Sequence, residues 1–534
     1  MSLAPPVSVG RIPRIVHQIW KSADLPAYAS DSWRRLGGGW EWRLWTDADL
    51  LDLVRTHYPE FERLYLSYPN NVQRADLGRY LVLNHCGGLY TDLDTERVGP
   101  LAALEDERRV ILSEEPVEHF HHAFPYGLDR LYFNGTMAGP AGHPFWAHLI
   151  DTVRRCEHAR DHVLESTGPL VLTGAVARYP DKAALALQSC HLFTPLTSRG
   201  IESAGPEHGP LAPLRLSNHL WRGTWIPRGR ERPVSRSLRW AWRDLHYAVT
   251  RGPHLTRAAV AQTVDRARLH RPLGRGDNVA VLVPVRDAEA WLPRCMELLD
   301  SLDYPAEKLS LTFCEGDSQD ATPERLAEIE GRYRYRFRRI RIVRSPGGPT
   351  FRRELRWLPK LQFSRRANLA RVRNHLIDTG IGPEDDWALW LDVDVCDYPP
   401  DILRRLLAER RKVVTPDCRL DPDGPSYDLN AFTDPTERKD QRYLKHVRGG
   451  LFMPPADYDR RRHLHDLRFL DRVPLTSVGG TMLLVWAEVH RAGIRFPELP
   501  YDDLLETEGF GRLCHDCGVT PIGLPNTAIL HVKS

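Results

Sequence analysis

The segment QRADLGRYLVLNHCGGLYTDLDTE, Gln73 to Glu96, changes period in its middle. As far as Cys86 it reads as a helix. Gly87 and Gly88 then stand where a helix closes, because glycine takes the left-handed C-cap conformation without strain. Leu89-Tyr90-Thr91 follows as a short buried-looking strand, and Asp92 and Asp94 stand at its end. A helix closing into a strand is one step of an alternating α/β architecture. Ligands of open α/β sheets sit beyond the carboxyl ends of the strands, where these two acids lie. Residues i and i+2 of an extended chain point to the same side. Two carboxylates placed that way repel unless a cation or strong donors compensate.

The same alternation continues on either side. RIPRIVHQIW (11–20) is a β-branched run ending in His17, Gln18 and Trp20, which read as structural. EWRLWTDADL (41–50) is a strand running into a helix start. Apolar residues recur at helical spacing from Leu50 to Tyr68, with a break at Pro59. The second half restarts with DNVAVLVPVRDAEAWLPRCMELLDSL (277–302), strand then helix, followed by the strands LSLTFCE and IRIVR. DWALWLDVDVCD (386–397) is apolar enough for a strand buried on both faces, and it ends in a second pair, Asp392 and Asp394. Other acid pairs read differently. Asp47 and Asp49 suit a helix N-terminus, and Asp421 and Asp423 suit a turn.

Oxygen ligands of this kind suit Mg²⁺ or Mn²⁺, which usually also hold substrate phosphates. The chemistry fits transfer of a sugar from a nucleoside diphosphate. By spacing alone it equally fits a phosphotransferase, a nuclease or a strand cap.

A chain of 534 residues is long for one domain, and two or three are expected. The formal net charge of +3 gives no ground for a nucleic-acid partner. Nine scattered cysteines suit a reducing compartment better than a disulfide framework. The closest pair, Cys514 and Cys517, lacks the second CxxC of a zinc site. MSLAPPVSVG has neither the basic nor the apolar region of a signal peptide, and no apolar run is long enough to span a membrane. The expected location is cytoplasmic. Residues 229–275 read as an Arg-rich connector whose stretch Ser237 to Val249 carries an amphipathic face, either packed on the domains or touching a membrane surface.

Residues from about Ile12 to Trp225 resemble the DXD sugar-transferase family, which includes Och-type initiating mannosyltransferases and bacterial capsular polysaccharide transferases. The matching pieces are IPRIVHQIW, WRLWTDADL, the opening segment above and SNHLWRGTW. The resemblance implies that Asp92 and Asp94 form the metal and nucleotide-sugar motif. It further implies that Asp76 and Arg79 contact the donor sugar, with Asn134 nearby, and that His219 and Trp225 approach the metal and diphosphate. SNHLWRGTW departs from the usual wording at Leu220 and Thr224. Without the family, Asp76 and Arg79 read as a surface ion pair one helical turn apart.

Residues from about Val279 to His531 resemble a different family, the fungal mannan-polymerase α-mannosyltransferases of the Anp/Mnn type. This rests on LVPVRDAEAWLPRCMELLDSLDYP, ARVRNHLIDTG, LWLDVDVCDYPPDIL, SYDLNAF, SVGGTMLLV, ETEGFGRLCHDCG and ILHV. The resemblance implies metal binding by Asp392, Asp394 and His531, and donor contacts from Arg371, Asn374, Asp317 and Gly480. It also implies that Glu508 orients or deprotonates the acceptor hydroxyl, and that Cys514 and Cys517 are packing residues. Together the resemblances imply two GT-A-type domains, Rossmann-like with mainly parallel sheets, at 1–228 and 276–534. They imply a bifunctional, retaining glycosyltransferase with one Mn²⁺ or Mg²⁺ per domain. Its donors are nucleotide sugars, GDP-mannose for the second half, and its acceptor is a glycan, lipid-linked or other glycoconjugate. The rival readings are one catalytic domain beside a carbohydrate-binding module, a sugar phosphotransferase, and a toxin-type protein glycosylase.

Overall fold

A strand that opens on a glycine with φ of +97° starts the path to the first acid pair. In the computed structural model, which describes residues 10–222, 254–345, 348, 359–448 and 450–533, Gly87 and Gly88 both take positive φ. Neither position has room for a side chain. A Cβ at Gly88 would lie 2.5 Å from the Ile15 carbonyl oxygen, and one at Gly87 would strike the Ala141 backbone nitrogen. The glycine pair therefore turns the chain from helix to strand within two residues and lets that strand lie against its neighbour.

The chain divides into two compact units. One is Met1–Arg230 with Asp466–Asp471, and the other is Glu231–His465 with Arg472–Ser534. The boundary near 230 falls where the sequence changes character, but the assignment of Asp466–Asp471 to the first unit has no sequence signal. The Ser237 to Val249 stretch and Trp225 lie outside the described residues. Among the described residues no helix is long and apolar enough to cross a membrane.

The first unit contains β1 (Ile15–Ile19), β2 (Glu41–Trp45), β3 (Gly88–Thr91), β4 (Thr95–Arg97), β5 (Val110–Glu114), β6 (Tyr132–Gly139), β7 (Leu185–Gln188) and β8 (Ser217–His219). Its main sheet has the order β2-β1-β3-β6-β5-β7. β1 runs parallel to β2 and β3, whereas β6 runs antiparallel to β3 and β5. β4 and β8 form a separate antiparallel ribbon in which Thr95 faces His219. Asp47–His57 forms α1, where Thr46 and Asp49 make a capping box, so that acid pair is a helix start. α2 (Asn71–Cys86) is buried along most of its length and closes at Gly87.

The second unit contains β9 (Val279–Val285), β10 (Leu309–Glu315), β11 (Arg339–Arg344), α3 (Pro359–Gly380), β12 (Trp387–Leu391), β13 (Val395–Asp397), β14 (Val413–Arg419), β15 (Val473–Pro474), β16 (Met482–Trp486), α4 (Glu506–Asp516) and β17 (Ile522–His531). The sheet runs β11-β10-β9-β12-β16-β14-β17-β13, with β15 paired to β17. β9 to β12 are parallel neighbours, as βα units require, but β16 enters antiparallel between β12 and β14. β5 also runs parallel to β7 and β14 to β17, so most strands of each sheet share one direction, with antiparallel strands inserted among them. In each, the antiparallel insertion sits directly beside the strand that carries the acids, β6 next to β3 and β16 next to β12. β12 is buried at all five positions, which explains its unbroken apolar sequence. Cys514 and Cys517 are buried and free, as packing residues.

His17 shows how tightly the first sheet is tied to α2. Its Nδ1 accepts from the Trp45 indole N–H at 3.0 Å, so Nε2 carries the proton and donates to the Gly87 carbonyl at 2.8 Å. Burial pushes the imidazole down to about 4. Between about pH 6.5 and 4 the unfolded chain then binds a proton that the folded chain refuses, so stability falls as pH falls through that window. His17 accounts for a loss of about 3 kcal/mol by pH 4. Thermal melts from pH 7 to 4 are expected to show this slope, flattened in His17→Gln. An unchanged slope in that variant removes His17 as its source.

Candidate active sites

The end of β3 gathers side chains from three separate elements. Asp92 and Asp94 follow the strand, Arg79 and Asp76 come from α2, and His219 ends β8. Arg79 is 5% exposed, and its guanidinium reaches Asp92 Oδ1 at 3.2 Å and Asp76 Oδ1 at 3.1 Å. It also donates to the Asn134 carbonyl at 2.9 Å and lies 4.7 Å from the Tyr90 ring centroid. Asp76 accepts further bonds from Asn134 Nδ2 and Thr167 Oγ1. The pair is therefore a buried core of the site, not the surface ion pair that spacing alone allows. Tyr90 OH donates to Asp92 Oδ1 at 2.6 Å. A Cβ at Gly135 would come within 2.7 Å of Asp92 Oδ2. Only glycine fits there.

Asp94 is held from the other side. Its Oδ1 meets His219 Nε2 at 3.1 Å and its Oδ2 accepts from the Arg222 N–H at 2.9 Å. Burial pushes Asp76 up to about 6 and raises Asp92, Arg79 opposing in both. Burial also works against Asp94, but the hydrogen bonds of His219 and Arg222 hold it below the ordinary range. Asp92, Asp94 and His219 can bring one ligand atom each within 4.8 Å of one another. They are the one such group of three among the described residues. Two carboxylates and an imidazole match the donor set of Mn²⁺ or Mg²⁺ chemistry, and a cation there would relieve the repulsion of the pair.

The end of β12 repeats this plan with different parts. Arg373 of α3, 3% exposed, reaches Asp392 Oδ1 at 3.2 Å and Glu506 Oε1 at 2.9 Å. The Trp390 ring lies 5.5 Å from its guanidinium. His531, the last residue of β17, meets Asp394 Oδ1 at 3.1 Å. Burial pushes Asp392 up to about 7, Arg373 opposing and Asp394, Asp428 and Glu506 adding to the rise. Burial lowers His531, but its bond to Asp394 outweighs that and raises it. Arg373, Asp392, Asp394, Glu506 and His531 line a cavity of about 800 Å³ together with Asp428, Gly480, Arg461 and Glu508. Asp428 Oδ2 accepts from the Gly480 N–H at 3.0 Å, and a side chain on Gly480 would collide with the Arg373 guanidinium. That supports the reading of Gly480 as a point of close backbone approach.

Four residues of the second half are placed differently from what the resemblance implies. The arginine that reaches the acids is Arg373, not Arg371, which is exposed and does not line the cavity. Asn374 is occupied elsewhere. Its amide donates to the Phe496 carbonyl and to Glu498, and its oxygen accepts from the Phe496 N–H, so it anchors backbone rather than a donor. Glu508 has both oxygens engaged, one by Arg366 and one by Arg461 at 2.9 Å. Burial opposes ionisation, but the two guanidiniums hold Glu508 below the usual carboxylate range. A carboxylate so held is a poor proton acceptor and a good anchor. Asp317 is exposed beyond β10 with φ of +56° and does not line the cavity.

Arg366, Arg373 and Asp428 were missed in the sequence. For the arginines a signal existed. Gln362, Arg366, Leu369 and Arg373 all line the cavity and lie at i, i+4, i+7 and i+11, one stripe of α3.

Each unit thus sets an acid pair at the end of a buried strand, and part of each unit is similar to a known family. Residues 24–115 match the family described as "Glycosyltransferase sugar-binding region containing DXD motif", and residues 265–500 match the Anp1 family. The first match includes Asp76, Arg79, Asp92 and Asp94, and the second includes Arg373, Asp392 and Asp394. Similar proteins include the mannan polymerase II complex ANP1 subunit of Saccharomyces cerevisiae, 30% identical over 48% of this chain and 55% of its own length. Inositol phosphoceramide mannosyltransferase 1 of Schizosaccharomyces pombe is 32% identical over 33% of this chain and 54% of its own. The chain thus spans about half the length of these curated relatives. The solved mannosyltransferase PcManGT from Pyrobaculum calidifontis, in complex with GDP-Man and Mn²⁺, is 12% identical with a TM-score of 0.29 over 55% of this chain and 68% of its own.

Proposed function

We propose that the chain is a bifunctional, metal-dependent, retaining glycosyltransferase with one donor site in each unit. The observation that carries this reading is the repeated arrangement itself. In each unit a buried helix arginine lies 3.2 Å from the first acid, and a histidine on a later strand lies 3.1 Å from the second. Two sequences that match different families have no reason to share this geometry unless each site does comparable work. Asp92, Asp94 and His219 would hold one Mn²⁺ or Mg²⁺; Asp392, Asp394 and His531 would hold the other after a side-chain adjustment, since their ligand atoms do not meet the 4.8 Å spacing of the first group. Such an ion, when bound, neutralises the charge that develops on a departing nucleoside diphosphate.

The protein's own groups do the remaining work. Arg79 and Arg373 aim the first acid of each pair and oppose the burial that makes it costly to ionise. His219 and His531 fix the second. In the second unit, Arg366 and Arg461, held by Glu508, present guanidinium edges along the cavity wall, a surface suited to sugar hydroxyls. The donor for the second unit is GDP-mannose, by its likeness to mannan polymerase subunits, and the acceptor is a glycan or glycoconjugate. Incubating the full chain with a panel of nucleotide sugars and Mn²⁺, and scoring released nucleoside diphosphate and product mass, tests the reading. The expected result is nucleoside diphosphate release with at least one donor, with GDP-mannose used by the second unit. A phosphodiester product would overturn it in favour of phosphotransfer.

A further inference from the structure

The loop that leads into α4 carries three non-glycine residues in left-handed backbone within five positions: Asp502 (φ +54°), Asp503 (φ +68°) and Glu506 (φ +55°). Aspartate tolerates this conformation better than glutamate does, but a run of three is unfavourable unless the surroundings impose it. Among the groups that hold this loop, one ammonium reaches both aspartates. Lys439 Nζ lies 2.7 Å from Asp502 Oδ1, 2.7 Å from Asp503 Oδ2 and 3.2 Å from the Asp502 carbonyl oxygen. The ammonium donates to the Asp503 carboxylate and the Asp502 carbonyl and pairs with the Asp502 carboxylate, so it ties both residues to one point. Asp503 is 1% exposed and also accepts from Tyr443 OH at 3.2 Å, while its carbonyl accepts from the Phe452 N–H. Arg512 of α4 holds Asp502 Oδ2 at 3.1 Å.

What the clamped loop presents is Glu506. Its carboxylate meets Arg373 Nε, and another nitrogen of the same guanidinium meets Asp392. Ion pairs thus anchor both ends of the loop, Lys439 at Asp502 and Asp503 and Arg373 at Glu506, and the loop backbone joins the two. We propose that Lys439 is a positioning residue for that site: by pinning Asp502 and Asp503 it sets the left-handed turn that places Glu506, and Glu506 places Arg373 against Asp392. Lys439 touches neither Asp392 nor Asp394. The proposal rests on the metal-site reading of those two acids.

The test uses the full chain carrying Asp92→Ala and Asp94→Ala, so that Mn²⁺ binding reports on the second unit. Lys439→Met is expected to weaken Mn²⁺ binding, measured by titration calorimetry, about tenfold, in line with the effect of groups that orient metal ligands. Amide exchange over 501–508 is expected to rise while β9 and β12 stay protected. Lys439→Arg, which keeps a cation between the two acids, is expected to recover affinity to within about threefold of the parent. If Lys439→Met does not fold, Asp503→Asn loosens the same clamp without stranding a buried charge, and both measurements are made on it. Unchanged Mn²⁺ affinity in a folded variant, or unchanged exchange at 501–508, overturns the proposal. A parent that binds no Mn²⁺ overturns the metal reading instead, and the clamp then stands or falls on the exchange measurement alone.

Discussion

Asp92→Asn with Asp94→Asn is expected to abolish sugar transfer by the first unit, by about 10³-fold or more, and to leave transfer by the second unit within about twofold. Asp392→Asn with Asp394→Asn is expected to do the reverse. Asparagine keeps the shape of each side chain and removes the charge, so the variants test charge rather than packing. A loss of 10³ corresponds to ~4 kcal/mol of transition-state stabilisation, the scale expected when a cation at a developing anion is lost. Neither substitution should unfold its unit. Asp92 and Asp392 are both raised by burial and by a neighbouring acid, so each is already costly to ionise in the folded chain. Arg79 keeps Asp76 and the Asn134 carbonyl, and Arg373 keeps Glu506. The two products, separated by mass, show which step each pair serves. If either pair is dispensable for every transfer step, that unit is a binding module and the bifunctional reading fails.

The sequence carried the local parts of both sites and little of their assembly. The path from α2 through Gly87 and Gly88 to Asp92 is legible because helix period, C-cap glycines and strand follow one another without a gap. His219 and His531 were found only through family resemblance, since nothing in SNH or ILHV by itself distinguishes a site histidine from a core one. The resemblance points to Arg371, whereas Arg373 is the one that reaches Asp392; two positions on a helix lie about 200° apart, on opposite faces. The motif ARVRNHL contains both arginines and does not say which face is inward. The stripe of Gln362, Arg366, Leu369 and Arg373 would have settled it. Asp428 lies 34 residues beyond Asp394 on a loop, and it meets Gly480 only once β14 and β16 are paired, which no local pattern reveals. The mixed character of the sheets was likewise hidden. Strand direction depends on whether a connection crosses over, and the chains entering β6 and β16 carry no signal that they do not.

Removing the arginines is the harsher test of whether the two sites share one design. Arg79 and Arg373 are buried and each joins a buried acid to a half-buried one, Asp76 to Asp92 and Glu506 to Asp392. Arg79→Met or Arg373→Met leaves both acids without that cation, and losing one partner of a buried pair costs about 3–5 kcal/mol. The methionine variants are therefore expected to lose that much stability in urea or guanidinium unfolding of the affected unit, along with nearly all of its transfer. The lysine variants separate the two effects. Arg373 meets Glu506 through Nε and Asp392 through NH2, so two nitrogens serve two acids. A lysine carries the same charge on one nitrogen and cannot span both. Arg373→Lys is expected to stay folded, with a stability loss well below that of Arg373→Met. Its transfer rate and Mn²⁺ affinity should nevertheless fall about 10- to 100-fold, because Asp392 is no longer aimed. Arg79→Lys should behave alike in the first unit, where two nitrogens divide between Asp76 and Asp92. Wild-type transfer in both lysine variants would mean that charge alone suffices and that the forked guanidinium has no part in aligning the acid pair.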